Sequence, residues 1–123
     1  MKMTADEIIR DLAYCTCADY YQKHWLGIKF TSGVERMAEI CEAFWLIDAV
    51  ASYQTAKFRA LNPFQSWRLK PAPTKKEPDR HLLWCEDGNG NIIKRQSIPF
   101  SDFPLDSITL WVENDVILLP SEH

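Results

Sequence analysis

The sequence predicts an α+β domain: two N-terminal helical segments packed on a four- to five-stranded antiparallel sheet. Three observations carry that prediction. Two capping boxes, Thr4-Ala5-Asp6-Glu7 and Ser32-Gly33-Val34-Glu35, each precede apolar residues at helical spacing. The apolar period then changes after Pro63 from that of a helix to that of a strand. Finally, turn-forming residues at 87–91 and 113–115 separate short apolar runs, as hairpins require.

Each element follows in order. Ile8, Ile9, Leu12 and Ala13 give the first helix its stripe, and it should end near Tyr14. Up to Phe30, the residues Tyr20, Tyr21, Trp25, Leu26 and Ile28 would pack a helical turn and an extended piece. The second helix opens at Ser32, with Val34, Met37, Ala38, Cys41, Phe44 and Trp45 on one stripe. From Ala43 nearly its whole circumference is apolar, so the second half should be enclosed and run to about Ala56. Pro63 forbids helix much beyond Asn62. Strands are expected at 65–70, 81–86, 92–98, 107–112 and 116–119. Their short connections favour antiparallel pairing, since a parallel crossover needs a dozen or more residues. One domain results, with a helical half at 1–62, a sheet half at 63–123 and a Pro-rich, mobile loop at 71–80. The terminal hairpin could leave an edge able to pair, and oligomeric state is not legible.

The 123 residues carry a net charge of −3, which argues against general nucleic-acid binding. That charge is uneven. Residues 57–80 hold seven Lys or Arg, and residues 101–123 hold five acids and no Lys or Arg. Neighbouring strands that neutralise each other, or two faces of opposite potential that steer a partner, would both explain this. The N-terminus lacks a signal-peptide pattern, and no apolar run approaches the ~18 residues of a membrane span. A cytoplasmic protein with its four cysteines reduced is expected.

Candidate sites are few. Cys15-Thr16-Cys17 with His24, completed by Cys41 or Cys85, has the residue types of a metal centre but not the usual spacing. No metal is expected. No phosphate loop, nucleophile elbow or dinucleotide fingerprint is present, so no cofactor is expected either. Asp87-Gly88-Asn89-Gly90-Asn91 is a hairpin turn rather than a calcium loop, because its flanks are strands. Asp48 lies in the apolar run 43–51, where a buried carboxylate needs a specific partner. It is the one candidate for catalysis, with His24 or Tyr53, and a structural role is favoured. Trp67, Trp84 and Trp111 fall in three strands and are expected to form the inner face of the sheet. The alternative is an aromatic platform flanked by Arg68, Lys70 and Arg95 that stacks single-stranded bases.

Tyr20-Tyr21 with His24, Thr31-x-Gly33-Val34, Met37-Ala38-Glu39, Trp45-Leu46-Ile47-Asp48-Ala49 and Ala51-Ser52-Tyr53-Gln54 form a set with Phe103-Pro104-Leu105-Asp106 and Leu119-Pro120-Ser121-Glu122. Together they resemble an uncharacterised family, a domain of unknown function found in small bacterial, cyanobacterial, phage and plasmid proteins. The resemblance covers nearly the whole chain and implies no activity. It implies no cysteine pair at the positions of Cys15 and Cys17, and it places Asp48 and Gln54 in the shared motif.

The expected function is that of a non-enzymatic interaction protein binding another protein. The mobile-element distribution implied by the resemblance suits an inhibitor of a host defence complex, such as an anti-CRISPR. Its expected surface is Asp106, Trp111, Glu113 and Asp115. The alternatives are a small enzyme using Asp48, and a single-strand nucleic-acid binder using Trp67, Arg68 and Lys70.

Overall fold

The computed structural model of the chain describes residues 3–16 and 18–123. Thr4 caps the first helix, α1 (Ala5–Ala13), as its spacing predicts: the Glu7 amide donates to Thr4 Oγ1, and the Thr4 amide donates to Glu7 Oε1. Tyr14 closes it.

Residues 21–31 form a hairpin where the sequence suggests only a turn and an extended piece. Its strands are β1 (Tyr21–Lys23) and β2 (Lys29–Thr31). Each is three residues long, and β1 is exposed throughout, so neither offers the apolar alternation that identifies a strand.

The expected single helix from Ser32 to about Ala56 is two helices, and a third begins where it should end. The first, α2 (Ser32–Cys41), is capped by Thr31 rather than Ser32, with the Val34 amide donating to Thr31 Oγ1 at 3.2 Å. Ser32 instead accepts from the Asp19 amide, and Glu35 accepts from the Tyr20 hydroxyl. Glu42 then adopts φ 53, and the Ala43 amide returns to the Ala38 carbonyl at 2.8 Å. This closure ends a helix whose propensity would continue it. A left-handed non-glycine residue costs ~1–2 kcal/mol. The turn offsets that cost by redirecting Leu46, Ile47, Val50 and Ala51 of α3 (Phe44–Ser52) into the core. A third cap at Thr55 starts α4 (Ala56–Leu61), and the chain enters the sheet at Pro63.

The sheet has seven strands in the order β1-β2-β7-β6-β3-β4-β5, where β3 is Phe64–Pro71, β4 His81–Glu86, β5 Ile92–Ile98, β6 Ile108–Glu113 and β7 Val116–Leu118. It is mixed rather than purely antiparallel. The pairs β1–β2, β3–β4, β4–β5 and β6–β7 are antiparallel, as is β3–β6, but β2 and β7 run parallel through Lys29↔Val116 and Phe30↔Ile117. That pairing joins distant segments, which a reading of adjacent strands does not reach. It also puts the terminal hairpin inside the sheet, so the edges are β1 and β5.

Phe30, Trp67, Leu69, Leu83, Cys85, Leu110, Val112 and Ile117 form the inner face and share one core with Val34, Met37, Leu46, Ile47 and Val50. On β3, β4 and β6 the alternate residues are half-exposed. The helices leave this second face open.

Candidate functional site

Residues 24–27 reverse the chain between β1 and β2. The Gly27 amide donates to the His24 carbonyl at 2.8 Å, and Gly27 sits at φ 101, a conformation that favours glycine. The Leu26 amide donates to His24 Nδ1 at 3.0 Å. Nδ1 is therefore the acceptor, so Nε2 carries the proton and donates it to Asp48 Oδ1 at 2.6 Å. The His24 side chain is 5% exposed, and the Asp48 side chain 59%.

Asp48 thus has the specific partner its position demands, but it is not enclosed. Phe44, Asp48 and Ser52, at intervals of four, form the solvent face of α3. In a Ser-His-Asp triad the carboxylate is buried and the far imidazole nitrogen meets the nucleophile. Here the burial is reversed and the far nitrogen is held by a backbone amide. Tyr53 lies elsewhere, its hydroxyl donating to Gln96 and its ring against Trp67. The pair works as a clamp on the turn. Beside it the Trp25 indole stacks on His24 at 5.5 Å and is 81% exposed. Leu26 and Phe44 are also large, apolar and exposed. Sequence reasoning missed this surface, although a Trp-Leu-Gly turn after His24 was its available signal.

A second clamp joins the chain's end to α2. Glu122 Oε1 accepts from the Thr31 hydroxyl at 2.6 Å and the Leu119 amide at 3.0 Å, and Oε2 accepts from the Gly33 amide at 3.2 Å. A carboxylate there also meets the positive end of the helix. A third joins α3 to β3. Gln54 and Gln65 exchange two side-chain hydrogen bonds at 2.7 and 2.9 Å, and Gln65 Oε1 also accepts from Trp67 Nε1 at 2.8 Å. Seven residues of the motif set, His24, Thr31, Gly33, Asp48, Gln54, Leu119 and Glu122, therefore meet across the fold in three hydrogen-bonded clusters.

The cysteines are dispersed. Cys41 lies on α2 and Cys85 on β4, both buried, while Cys15 is half-buried. Burial pushes the Cys41 thiol up to about 11 and the Cys85 thiol to about 12. Cys17 lies outside the described residues. Among those described, no three His, Cys, Asp or Glu side chains converge as metal ligands. None of their helices is long and apolar enough to cross a membrane.

The acidic residues named above occupy two ends of β6. Asp106 precedes the strand, and Glu113 ends it roughly 20 Å away along an extended chain. Glu113 accepts from His123 at 2.8 Å, and Asp115 pairs with Arg59 at 2.8 Å. Trp111 lies on the open face, with the rings of Phe64 and His123 each 5.3 Å away and steeply inclined to it.

The three strand tryptophans do not share one face. Trp67 is inside the core, so it cannot stack a base. Trp84 and Trp111 are on the open face, because the register sets Arg68 and Arg95 opposite Trp84 and Ser66 opposite Trp111. The Arg68 guanidinium lies 5.8 Å from the Trp84 ring centroid.

Residues 6–123 match the model of a family of unknown function, DUF6876, and the chain belongs to that family. Comparison with curated proteins and with solved structures gives no match.

Proposed function

We propose that this DUF6876 protein is a non-enzymatic binding protein that docks another protein through the turn carrying Trp25. One observation supports the reading most: an indole four-fifths exposed, on a turn held rigid by a buried histidine. Burying an indole removes ~150–250 Å² from water, on the order of 4–6 kcal/mol before the costs of association. A turn already ordered in the free protein keeps those costs low. Leu26 follows this anchor on the turn, Phe44 lies one helical turn before Asp48 on the solvent face of α3, and tryptophan anchors dominate many interfaces. Asp48 adds an exposed carboxylate to the same patch, favouring a partner pocket with a basic rim. In this reading the mobile-element distribution implied by the resemblance makes the partner a component of a host defence complex.

The test is a photo-crosslinking residue at position 25, used in lysate of the cells that encode the protein. One discrete adduct is expected, competed by the unmodified protein and absent when the crosslinker replaces Lys57. A self-adduct, or equal labelling from both positions, would overturn the reading. Trp25→Ser should abolish competition and move stability by less than ~0.5 kcal/mol, because the ring is exposed.

A further inference from the structure

We infer that the open face of the sheet binds single-stranded nucleic acid along the row Arg68–Trp84–Arg95. The strand register makes that row. Arg68 on β3 and Arg95 on β5 are the direct cross-strand neighbours of Trp84 on β4, on the side of the sheet away from the helices. Neighbouring strands lie ~4.8 Å apart, so the three side chains cover about 10 Å of flat surface. The guanidinium of Arg68 already lies over the face of the indole, 5.8 Å from its centroid, and offers its own plane for stacking.

Charge complementarity selects the ligand. Lys70 lies on the same face of β3 as Arg68, and Arg80 is held beside it by a 2.9 Å hydrogen bond to Ser97. Of these cations only Arg80 is near a carboxylate, Glu77 at 4.0 Å, and Arg68, Lys70 and Arg95 form no ion pair among the described residues. Glu86 is the one acid facing outward from β3, β4 or β5. The net charge of −3 conceals this face, because among β3, β4 and β5 the cations outnumber the one acid, and the other acids lie outside these strands. Trp111 is offset two residues along and two strands across from Trp84, about 12 Å away. An unpaired strand can lay its phosphates over the cations and stack exposed bases on the two rings and the guanidinium. A duplex keeps its base faces enclosed, and an acidic peptide uses the charges but not the rings. Past Trp111, Glu113 faces the same way, which limits the path to the half of the sheet around β3–β5.

This site is separate from the Trp25 turn, and its test is separate too. Intrinsic tryptophan fluorescence is titrated with short oligothymidylate and oligouridylate at low salt. Quenching is expected, with affinity falling as salt rises. Trp84→Ala should weaken binding roughly tenfold to a hundredfold. Arg68→Gln with Arg95→Gln should reduce the slope of log affinity against log salt by about 1.4, since each phosphate contact on a single strand contributes ~0.7. The exposed Arg95 makes the second variant informative even if Trp84→Ala loses its fold. Trp25→Ser should bind oligonucleotides normally. The inference is overturned by absence of quenching at low salt, by equal affinity for duplex, by polyglutamate competing as well as oligothymidylate, or by binding that neither variant changes.

Discussion

The Glu122 carboxylate occupies the space that a side chain at Gly33 would fill. A Cβ built on Gly33 would lie 2.6 Å from the Glu122 carboxyl carbon and from both its oxygens. Thr31, Leu119 and the Gly33 amide all hold that carboxylate in place. Gly33→Ala should therefore destabilise by ~1–2 kcal/mol, chiefly through loss of those bonds. Alone in a helix, however, Ala is better than Gly by ~0.5–1 kcal/mol. In a Glu122→Ala background the same change should become stabilising. Urea unfolding of the four proteins reads this reversal of sign, and a Gly33→Ala cost that persists without Glu122 would remove the explanation.

His24 and Asp48 give a second coupled pair. Asp48→Ala leaves the buried Nε2–H without an acceptor, at a cost of ~1–3 kcal/mol. His24→Ala removes both of its bonds and frees the Leu26 amide. In the His24→Ala protein, loss of Asp48 should cost almost nothing further. Amide exchange at Leu26 should speed up in both single variants, while exchange in β3 and β6 stays slow. Independent, additive costs would show that the two residues act separately.

Much of this architecture is legible in the sequence, and the exceptions have physical causes. Caps and strand periods are local, so α1, the break at Pro63 and the hairpin at Asp87 follow from nearby residues. The Asp87 carboxylate accepts from the amides of Asn89 and Asn91. The break at Glu42 is different: a residue with ordinary helix propensity is forced to φ 53 by the packing on either side of it. For Asp48 the sequence offers His24 and Tyr53 as partners without choosing between them, because the segments of Asp48 and His24 meet only through β1 and β2. The division of the tryptophans also depends on which face the helices choose. Strand alternation places Trp67 and Trp84 on opposite sides only once register pairs Arg68 with Trp84.

The buried glutamines should behave as a unit. Gln65→Leu removes the acceptor of Trp67 Nε1–H and breaks both bonds to Gln54. Each stranded buried group costs ~1–3 kcal/mol, so the single variant should be severely destabilised. Adding Gln54→Leu removes one stranded amide and should recover part of the loss. Chemical denaturation of both would decide this, and a double variant less stable than the sum of the singles would count against a shared network.

The two buried thiols imply a loss of stability at high pH. Burial raises Cys41 to about 11 and Cys85 to about 12, from an ordinary value of 9.0, because a thiolate is poorly solvated in the core. Above pH 9 the unfolded chain releases these protons while the folded chain keeps them. The unfolded state then binds fewer protons, so unfolding becomes easier as pH rises. Each thiol contributes up to roughly 1.4 kcal/mol per pH unit, until the pH passes its folded value. Cys41→Ala and Cys85→Val should each flatten the alkaline limb of the stability curve, even where they lower stability at neutral pH. At pH 8, iodoacetamide should modify neither residue in the folded protein and both after denaturation, as peptide mass mapping would record. Rapid labelling of Cys85 under native conditions would mean that β4 opens to solvent.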